Sequence, residues 1–453
     1  MSRPLRVAVV GAGPAGIYAA DLVTSAVPGA TVEIFDRFPT PFGLIRYGVA
    51  PDHPRIKQIV RALHQVLQQP GISFLGNVNV GVDVKLDELR EFYDAVVVAT
   101  GAERDRRLGI PGEDLQRSHG AAEFVSFYDA HPDRPQTWDL SAATSVAVIG
   151  VGNVALDVAR MLARSPDELL YTELPDHVHR ALKASAVTDV HMFARRGPAQ
   201  AKFTPVELRE LDHSPNVRVL VHPEGMEFDA ESQAELGRRK SLRMVVDVLS
   251  EWALRDDEPG PHRRIHLHFL EAPVEILGTA DSGVTGLRTQ RQQLAGDGTA
   301  HGTEVFTDWD VQAVYRAVGY RSEPLPDVPF DPRRLVVPNV AGRVVDLDEV
   351  AVPGLYVTGW AKRGPVGLIG HTKSDAAETV ANLVADADGL TRAPATGTAD
   401  LLALLAERGV TVTDFDGWQR LDAHERAVGA AAGRERIKVT SRSEMVAISA
   451  RDI

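Results

Sequence analysis

The chain has 453 residues, 44% of them hydrophobic and 25% charged, which is typical of a globular protein with two or three domains. It contains no cysteine, which excludes disulfides, thiolate metal sites, cysteine-ligated iron–sulfur clusters and a thiol nucleophile. The formal net charge of −13 disfavours a dedicated nucleic-acid binder. The sequence has neither an apolar run of membrane-spanning length nor a signal-peptide pattern, so we expect a cytoplasmic protein.

A glycine-rich turn follows the first predicted strand. The apolar residues 5–10 lead into GxGxxG spacing, formed by Gly11, Gly13 and Gly16. Such glycines allow a tight turn and a close backbone approach to a pyrophosphate, which the following helix N-terminus attracts. The next predicted strand, 31–35, ends in Asp36, where a carboxylate accepts hydrogen bonds from an adenosine ribose. The alternative is an ordinary strand–turn–helix unit with a solvated Asp36.

Two more predicted strands end in glycine. One covers residues 94–99 and runs into Thr100 and Gly101; the other covers residues 354–359, far along the chain. A buried strand ending in Ala-Thr-Gly is common in enzymes that bind FAD. We therefore predict that both halves of the chain build one FAD-binding domain, with an insertion between them.

The insertion has its own glycine-rich turn. Gly150 and Gly152 follow a strand, and Asn153 and Val154 open the next helix, where a pyrophosphate would lie. The second strand of this unit ends in two basic residues, Arg195 and Arg196. Guanidinium groups pair with the 2′-phosphate of NADP, whereas a carboxylate repels it, so this turn predicts NADP(H). The alternative is an arginine pair that merely faces water.

Two turns with opposite charges at the end of the second strand indicate two different dinucleotides bound at once. That arrangement passes a hydride from a nicotinamide to a flavin. The absence of cysteine excludes the dithiol flavoenzymes, which share such turns. We predict an α/β fold of two Rossmann-like three-layer nucleotide-binding domains, the NADP domain inserted into the FAD domain. The predicted ranges are 1–105 for FAD, 106–330 for NADP, and 331–453 for FAD with a C-terminal extension.

Several longer motifs accompany the turns. They are Gly-Ala-Gly-Pro-Ala-Gly at 11–16, Pro-Thr-Pro-Phe-Gly-Leu at 39–44, Gly-Val-Ala-Pro-Asp-His-Pro at 48–54, Gly-Asn-Val-Ala-Leu-Asp-Val-Ala-Arg at 152–160 and Arg-Arg-Gly-Pro at 195–198. Together they resemble the adrenodoxin-reductase family of ferredoxin–NADP reductases, and most of all its actinobacterial members. The resemblance extends from residue 5 to about 385, and Val-Ala-Pro-Asp-His-Pro is its most specific part.

The resemblance implies that NADPH reduces FAD and that a ferredoxin then takes the electrons singly, feeding an acceptor such as a cytochrome P450. It implies FAD contacts at Ala15, Asp36, Leu44 and Val80, and a third flavin segment at Trp360, Gly367, Leu368 and Ile369. It also implies NADP contacts at Gly152, Asn153, Arg195, Arg196 and Glu207. His53 and Glu210 match the family's pair of active-site residues, for which we expect an orienting or charge-adjusting role.

The residues alone leave alternatives open. His53 lies between prolines and also fits a packed loop histidine, and Trp360 also fits plain core packing. Within the helical turn 205–211, Glu207 and Arg209 are as plausible as Glu210 without the resemblance. We expect no metal, because hydride transfer needs none and no His/Asp cluster has the spacing of ligands along the chain.

Ferredoxins are usually acidic, so docking on this acidic chain needs a local basic patch. The candidate residues, in a segment that resembles a helix start without an acid, are Arg238, Arg239, Lys240 and Arg243. A solvated helix face explains them equally well. Three other functions fit parts of the pattern: an FAD/NADPH-dependent monooxygenase, an electron-input subunit of glutamate synthase, and a non-catalytic flavin-binding redox sensor. The glutamate synthase subunit normally carries a cysteine-rich region that this chain lacks.

The C-terminal segment 386–453 is less informative. We predict a short helix over 400–409, a strand over 410–413 and a charged helix over 423–436. The pattern leaves open whether this segment covers the FAD domain or contacts a second subunit.

Overall fold

The computed structural model describes residues 3–53, 57–255, 263–366, 369–394 and 397–450. The chain forms two compact units. Unit 1 consists of Met1–Arg104, Asp129–Asp133 and Tyr320–Ile453, and unit 2 consists of Asp105–Tyr128 and Arg134–Gly319. Unit 2 is thus inserted in the chain of unit 1. The predicted ranges 1–105, 106–330 and 331–453 stay a prediction as nucleotide-binding domains.

Unit 1 is built on a seven-stranded sheet. Its spatial order is Asn339–Val340, Arg343–Val345, Ala351–Val357, Ala95–Val98, Arg6–Val10, Thr31–Asp36 and Ile72–Gly76. The last five strands pair in parallel, and the first two add an antiparallel edge. The strand from the late part of the chain, Ala351–Val357, therefore lies directly beside Ala95–Val98, as expected for one domain built from both halves.

Hydrophobic cores cover both faces of this sheet. In the first strand, Val7 and Val9 belong to one core and Ala8 and Val10 to the other, as the two-residue period of a strand requires. Helices cover both faces, so unit 1 is a three-layer α/β structure. Its helices are Pro14–Ala26, Leu44–Tyr47, Ile59–Leu67, Leu86–Phe92, Trp360–Arg363, Ile369–Asp386, Thr398–Glu407, Phe415–Ala431 and Arg442–Ser449, with a 3-10 turn at Ala387–Gly389.

Unit 2 has a second parallel sheet. Its order is Ser118–Gly120, Ala313–Arg316, Ser145–Ile149, Asp189–Ala194, Arg263–Phe269 and Val217–Val221. A separate antiparallel sheet is formed by Glu271–Thr279, Gly283–Leu294 and Ala300–Trp309. The helices of this unit are Ala121–Tyr128, Asn153–Ala163, Asp176–Lys183, Pro205–Glu210, Ala230–Arg238 and Lys240–Ala253. Its 3-10 turns are Pro166–Leu169, Pro198–Gln200, Leu211–His213 and Pro223–Gly225, and two short strands, Arg104–Asp105 and Tyr320–Arg321, occur at the borders of the insertion.

The structure confirms the predicted fold class, an α/β protein with one Rossmann-like unit inserted into another. It differs from the predictions in the C-terminal segment. The helix predicted over 423–436 is Phe415–Ala431, and it begins at the Asp414 cap, whose side chain accepts the Gly417 N–H. Residues 410–413 form no strand, and Thr413 makes a single antiparallel bridge with Gly76 instead. No described helix combines the length and apolar character needed to cross a membrane.

Parts of the C-terminal segment pack against the early part of the chain within unit 1. The Glu425 carboxylate lies 2.5 Å from the Arg46 guanidinium, and both side chains are buried. Trp418 packs edge to face against Phe42, with ring centroids 5.7 Å apart. These contacts hold the segment against residues that follow the second strand of unit 1, Thr31–Asp36.

Candidate functional site

The turn in unit 1 has little room at its first and last glycines. Gly11 has φ +113°, and a β-carbon there would stand 2.5 Å from the Ala99 carbonyl oxygen. A β-carbon at Gly16 would stand 2.0 Å from the Gly11 carbonyl oxygen. A larger residue at Gly11 would clash with the end of the neighbouring strand, and one at Gly16 would push the helix Pro14–Ala26 away from the turn, so both glycines are required by packing.

The middle glycine of this turn is different. A β-carbon at Gly13 would meet nothing within 4 Å, so the backbone is open at the helix N-terminus. The first turn of this helix also contains no acidic residue. Gly43 approaches from the side, where its own β-carbon would stand 3.2 Å from the Gly13 α-carbon, and Leu44 begins the short helix after it. An open backbone beside unpaired helix N–H groups is suited to a pyrophosphate.

Asp36 lies at the end of the second strand and braces the turn. Its carboxylate accepts the Ala12 N–H at 2.8 Å and the Phe38 N–H at 2.9 Å. Burial raises the pKa of Asp36 to about 6, although these two backbone N–H groups and the nearby Arg37 act in the opposite direction. Glu103 lies close enough to raise the pKa slightly further.

A pocket of about 220 Å³ opens beside this carboxylate. Five residues predicted to contact FAD line it: Gly11, Asp36, Val80, Thr100 and Gly101. The pocket walls also include Arg37 and Glu103, which form an ion pair, and the segment 323–326. Sequence reasoning missed these residues, although Arg37 directly follows the strand-end aspartate and Glu103 follows the Thr-Gly motif closely.

The third predicted flavin segment begins at Trp360, directly after Gly359. This glycine has φ +70°, and a β-carbon there would stand 2.6 Å from the Ala15 β-carbon. Its N–H donates to the Asp375 carboxylate at 2.5 Å, and Trp360 starts the next short helix. Asp375 belongs to the helix Ile369–Asp386, and its carboxylate contacts the backbone at the end of the strand Ala351–Val357. Sequence reasoning missed this contact.

The remaining predicted residues of this segment are incompletely described. Gly367 and Leu368 lie outside the described residues, and Ile369 is placed only as the first residue of its helix. The aromatic ring of Trp360 lies 6.1 Å from that of Tyr320, so it packs within unit 1. His53 is 4% exposed, and its backbone N–H donates to the Ala50 carbonyl in a tight turn.

The turn in unit 2 repeats the geometry of the first. Gly150 has φ +134°, and a β-carbon there would stand 2.3 Å from the Ala317 carbonyl oxygen. A β-carbon at Gly152 would meet nothing within 4 Å, as at Gly13. Asn153 and Val154 begin the helix Asn153–Ala163, whose first turn contains no acid. The Asn153 amide oxygen accepts the Thr204 N–H at 3.0 Å and so fixes the segment that leads to Glu207.

Arg195 and Arg196 directly follow the second strand of this unit, whose last residue, Ala194, is the counterpart of Asp36 in unit 1. Arg195 is exposed and Arg196 half-buried. Among the described residues, neither guanidinium has a hydrogen-bond or ion-pair partner. Two uncompensated cations beside an open glycine turn are suited to a bound phosphate group.

Glu207 and Glu210 occupy the short helix Pro205–Glu210. The Thr204 hydroxyl caps this helix by accepting the Glu207 N–H at 3.3 Å, and Glu207 is 9% exposed. The Glu210 carboxylate lies 3.8 Å from the buried Arg160 guanidinium and remains about one-third exposed. The structure therefore places Glu207 inward and Glu210 outward on one helical turn.

The two units each hold one strand–turn–helix site with room for a dinucleotide backbone. The family model of pyridine nucleotide-disulphide oxidoreductases matches residues 5–195. The chain is 40% identical to the mitochondrial NADPH:adrenodoxin oxidoreductase of Arabidopsis thaliana, with 99% of this chain and 96% of that protein covered. It is 41% identical to the NADPH-ferredoxin reductase FprA of Mycobacterium tuberculosis, with 98% and 99% covered.

A solved structure, FprA of M. tuberculosis in complex with NADPH, matches with a TM-score of 0.90 and 39% identity. The match covers 99% of this chain and all of that one. Fold and sites thus define a dinucleotide-binding oxidoreductase. Within that class, the chain belongs to the family of adrenodoxin reductases and NADPH-ferredoxin reductases, which confirms the resemblance in its motifs.

Proposed function

We propose that the protein is an NADPH-dependent ferredoxin reductase, with FAD bound to unit 1 and NADP(H) bound to unit 2. The observation that carries the proposal is the charge difference between two equivalent turns. One second strand ends in a carboxylate that lines a pocket, Asp36. The other is followed directly by Arg195 and Arg196, whose guanidinium groups have no partner in the described part of the chain. The names of the full-length relatives agree with this assignment.

The residues of unit 1 fit the FAD role by shape and by donor type. The open backbone at Gly13 and the helix behind it would hold the pyrophosphate, and Asp36 would accept bonds from the ribose hydroxyls. Val80, Thr100 and Gly101 line the same pocket. Ala15 and Leu44 flank the turn, and Trp360, Gly367, Leu368 and Ile369 complete the proposed contacts. When bound, FAD accepts two electrons together and releases them one at a time.

The residues of unit 2 would hold NADP(H). Gly152, Asn153 and Val154 would face its pyrophosphate, and the two arginines would pair with the 2′-phosphate. Glu207 is assigned to the same ligand because the capped helix that carries it is tied to Asn153. His53 and Glu210 are assigned orienting roles: His53 is held in a buried turn, and Glu210 is paired with Arg160.

We assign ferredoxin docking to the basic segment of unit 2. The prediction described a segment that contains no acid, but two of its four basic residues form ion pairs with glutamates of the helix Ala230–Arg238. Arg238 ends the helix Ala230–Arg238 and pairs with Glu231 at 2.5 Å and with Glu235 at 2.6 Å. Arg239 contacts Glu235, and Arg243 donates to the carbonyls of Leu236 and Gly237. Lys240 is exposed and has no partner among the described residues, so it is the most available cation of the four.

The proposal is tested by the absorbance spectrum of the purified protein. We expect a bound flavin that bleaches with NADPH, bleaches poorly with NADH, and then reduces cytochrome c only when a ferredoxin is added. A colourless protein that binds neither FAD nor NADPH would refute the proposal. Oxygen uptake that depends on an organic substrate would indicate a monooxygenase instead, and a bound flavin without turnover would indicate a redox sensor. A cytoplasmic location stays a prediction.

A further inference from the structure

Four histidines from three neighbouring strands come together in unit 2. His191 lies in the strand Asp189–Ala194, and His266 and His268 lie in the adjacent strand Arg263–Phe269. In the parallel register, His191 stands opposite His266. His222 directly follows the strand Val217–Val221 on the other side. Because His266 and His268 are two residues apart on one strand, their side chains lie on the same face of the sheet.

The imidazole rings are in direct contact. His191 Nδ1 lies 3.0 Å from His268 Nε2, and His222 Nε2 lies 3.2 Å from His266 Nδ1. The rings of His191 and His266 stack with centroids 4.4 Å apart, and those of His222 and His268 with centroids 4.2 Å apart. His266 and His268 are buried, while His191 and His222 are half-buried and give the cluster access to solvent.

We propose that this histidine cluster (His191, His222, His266 and His268) is a binding site for one divalent transition metal ion of the zinc type. Nitrogen atoms of His191, His266 and His268 all lie within 4.8 Å of one another. Neutral imidazole is a preferred ligand of Zn²⁺, Cu²⁺ and Ni²⁺. A tetrahedral Zn²⁺ with bonds of about 2.0–2.1 Å places its ligand nitrogens about 3.4 Å apart. The two close pairs, at 3.0 Å and 3.2 Å, would open slightly, and the nitrogens of different pairs, which lie within 4.8 Å, would move together around the ion.

An acidic side chain fixes the orientation of one of these rings. The Asp189 carboxylate lies 2.9 Å from His266 Nε2, on the side of the ring away from His222. If Nε2 donates to this carboxylate, Nδ1 presents its lone pair towards the cluster. A carboxylate behind a histidine is the common arrangement around protein-bound zinc, where it fixes the tautomer and raises the basicity of the ligand. Arg264 binds the same carboxylate at 2.6 Å and holds it in place.

Aromatic side chains form a wall of the cluster. Trp309, from the antiparallel sheet of unit 2, lies 4.5 Å from the His268 ring, and Phe193 lies 5.0 Å from it. An apolar wall limits the water that competes for the ion. The sequence shows only the His266-x-His268 spacing, because the other two histidines come from separate strands.

The two close nitrogen pairs show how the imidazole nitrogens satisfy their hydrogen bonding without a metal ion. In each pair one ring donates a proton and the other accepts it. A bound metal ion would take the lone pairs of both nitrogens in a pair, so the donating ring would carry its proton on its other ring nitrogen. The competing explanation is a histidine stack held together only by hydrogen bonds. The two explanations differ in whether the wild-type protein takes up a metal ion.

The experiment uses the full-length protein without a polyhistidine tag, loaded with FAD and treated with a chelator. Equilibrium dialysis or titration calorimetry with Zn²⁺ alone is expected to show one ion bound per chain. His268→Gln should weaken zinc binding by about tenfold or more. Asp189→Asn should weaken it by about ten- to a hundredfold, as expected for loss of a carboxylate behind a ligand. His301→Gln, which changes an exposed histidine outside the cluster, should leave zinc binding unchanged.

Flavin content and circular dichroism identify any variant that does not fold. The wild-type titration needs no variant and decides the question by itself. Absence of stoichiometric zinc binding to the wild-type protein would overturn the proposal, as would binding that His268→Gln and His301→Gln reduce equally. Neither result bears on reduction by NADPH, so failure of the metal site and failure of the proposed reductase activity are distinguishable.

Discussion

Gly359 and Ala15 are in direct contact, although they lie more than 340 positions apart in the chain. A β-carbon at Gly359 would overlap the Ala15 methyl group, and the backbone at Gly359 has φ +70° and ψ −144°. That region of backbone space is essentially restricted to glycine. The contact joins the first turn of the first helix to the end of the last strand, on either side of the proposed FAD site.

Gly359→Ala is expected to destabilise unit 1. The backbone conformation and the overlap each cost about 1–3 kcal/mol, so the free energy of unfolding should fall by about 2–6 kcal/mol. The increase in flavin fluorescence during urea unfolding measures the change. Gly389→Ala is the matched control, because a β-carbon there meets nothing within 4 Å. Equal stability of both variants would contradict the proposed overlap.

Removing either strand-end guanidinium should shift the choice of coenzyme. A hydrogen bond to a charged group contributes about 1.5–3 kcal/mol, so Arg195→Ala and Arg196→Ala should each raise the KM for NADPH roughly tenfold or more. The KM for NADH should change little, because NADH has no 2′-phosphate. Steady-state dye reduction with both coenzymes measures the ratio. Arg180→Ala removes an exposed arginine elsewhere in unit 2 and should preserve the preference.

Asp36 should make the stability of the FAD-free protein depend on pH. Burial raises the pKa of this carboxyl to about 6, above its usual 3.8, so the folded state holds its proton more tightly than the unfolded state does. Stability from this group is therefore greatest below about pH 4 and is lost as the pH rises through 6. The shift in pKa corresponds to a loss of about 3 kcal/mol in the free energy of unfolding. The real loss should be smaller, because water reaches the half-buried carboxyl through the pocket.

The comparison of wild type with Asp36→Asn isolates this effect from other groups, such as Asp105, whose pKa burial also raises to about 6. Urea unfolding of the FAD-free proteins between pH 4 and 8 gives the two curves. Wild type should lose stability relative to the variant as the pH rises. A constant difference across this range would show that Asp36 has an ordinary pKa.

The buried ion pair between Arg46 and Glu425 should be essential for unit 1. Glu425 is fully buried and also accepts the Val439 N–H at 2.9 Å and contacts Arg436 at 3.1 Å. Glu425→Gln keeps the shape but leaves buried guanidinium groups without their counter-charge, which costs about 3–5 kcal/mol. Loss of bound flavin on heating measures the effect. Glu88→Gln breaks the exposed pair with Arg408 and should cost less than about 1 kcal/mol.

Reversing charge in the basic segment should slow electron transfer to ferredoxin. Arg239→Glu combined with Lys240→Glu should reduce the rate of ferredoxin-dependent cytochrome c reduction, most strongly at low salt, because charged patches speed encounter. Reduction of a small dye should not change. Lys183→Glu reverses an exposed charge on another helix and serves as the control. Equal loss with cytochrome c and dye would exclude a docking role.

Local features of both sites could be predicted from the sequence. The strand, turn and helix around Gly11 and around Gly150 are each determined by residues within about 30 positions, and the second strands end at Asp36 and Ala194 as their patterns predict. The structure thus places Asp36 and Ala194 at equivalent positions of the two units, with Arg195 one residue further along the chain. The roles of these residues stay predictions.

Contacts between distant residues could not be predicted. Glu425 finds Arg46 across almost the whole chain, and the histidine cluster requires the order of three strands in a sheet. None of these partners lies within the span over which periodicity or turn residues carry information.

The position of Ala351–Val357 beside Ala95–Val98 has a consequence for biosynthesis. The two strands are separated by roughly 250 residues, which a ribosome takes tens of seconds to make at about 5–20 residues per second. During that interval, the edge of Ala95–Val98 that faces away from Arg6–Val10 has no neighbouring strand. The nascent chain must therefore wait for its final third, including the segment that carries Glu425, before it can retain a flavin.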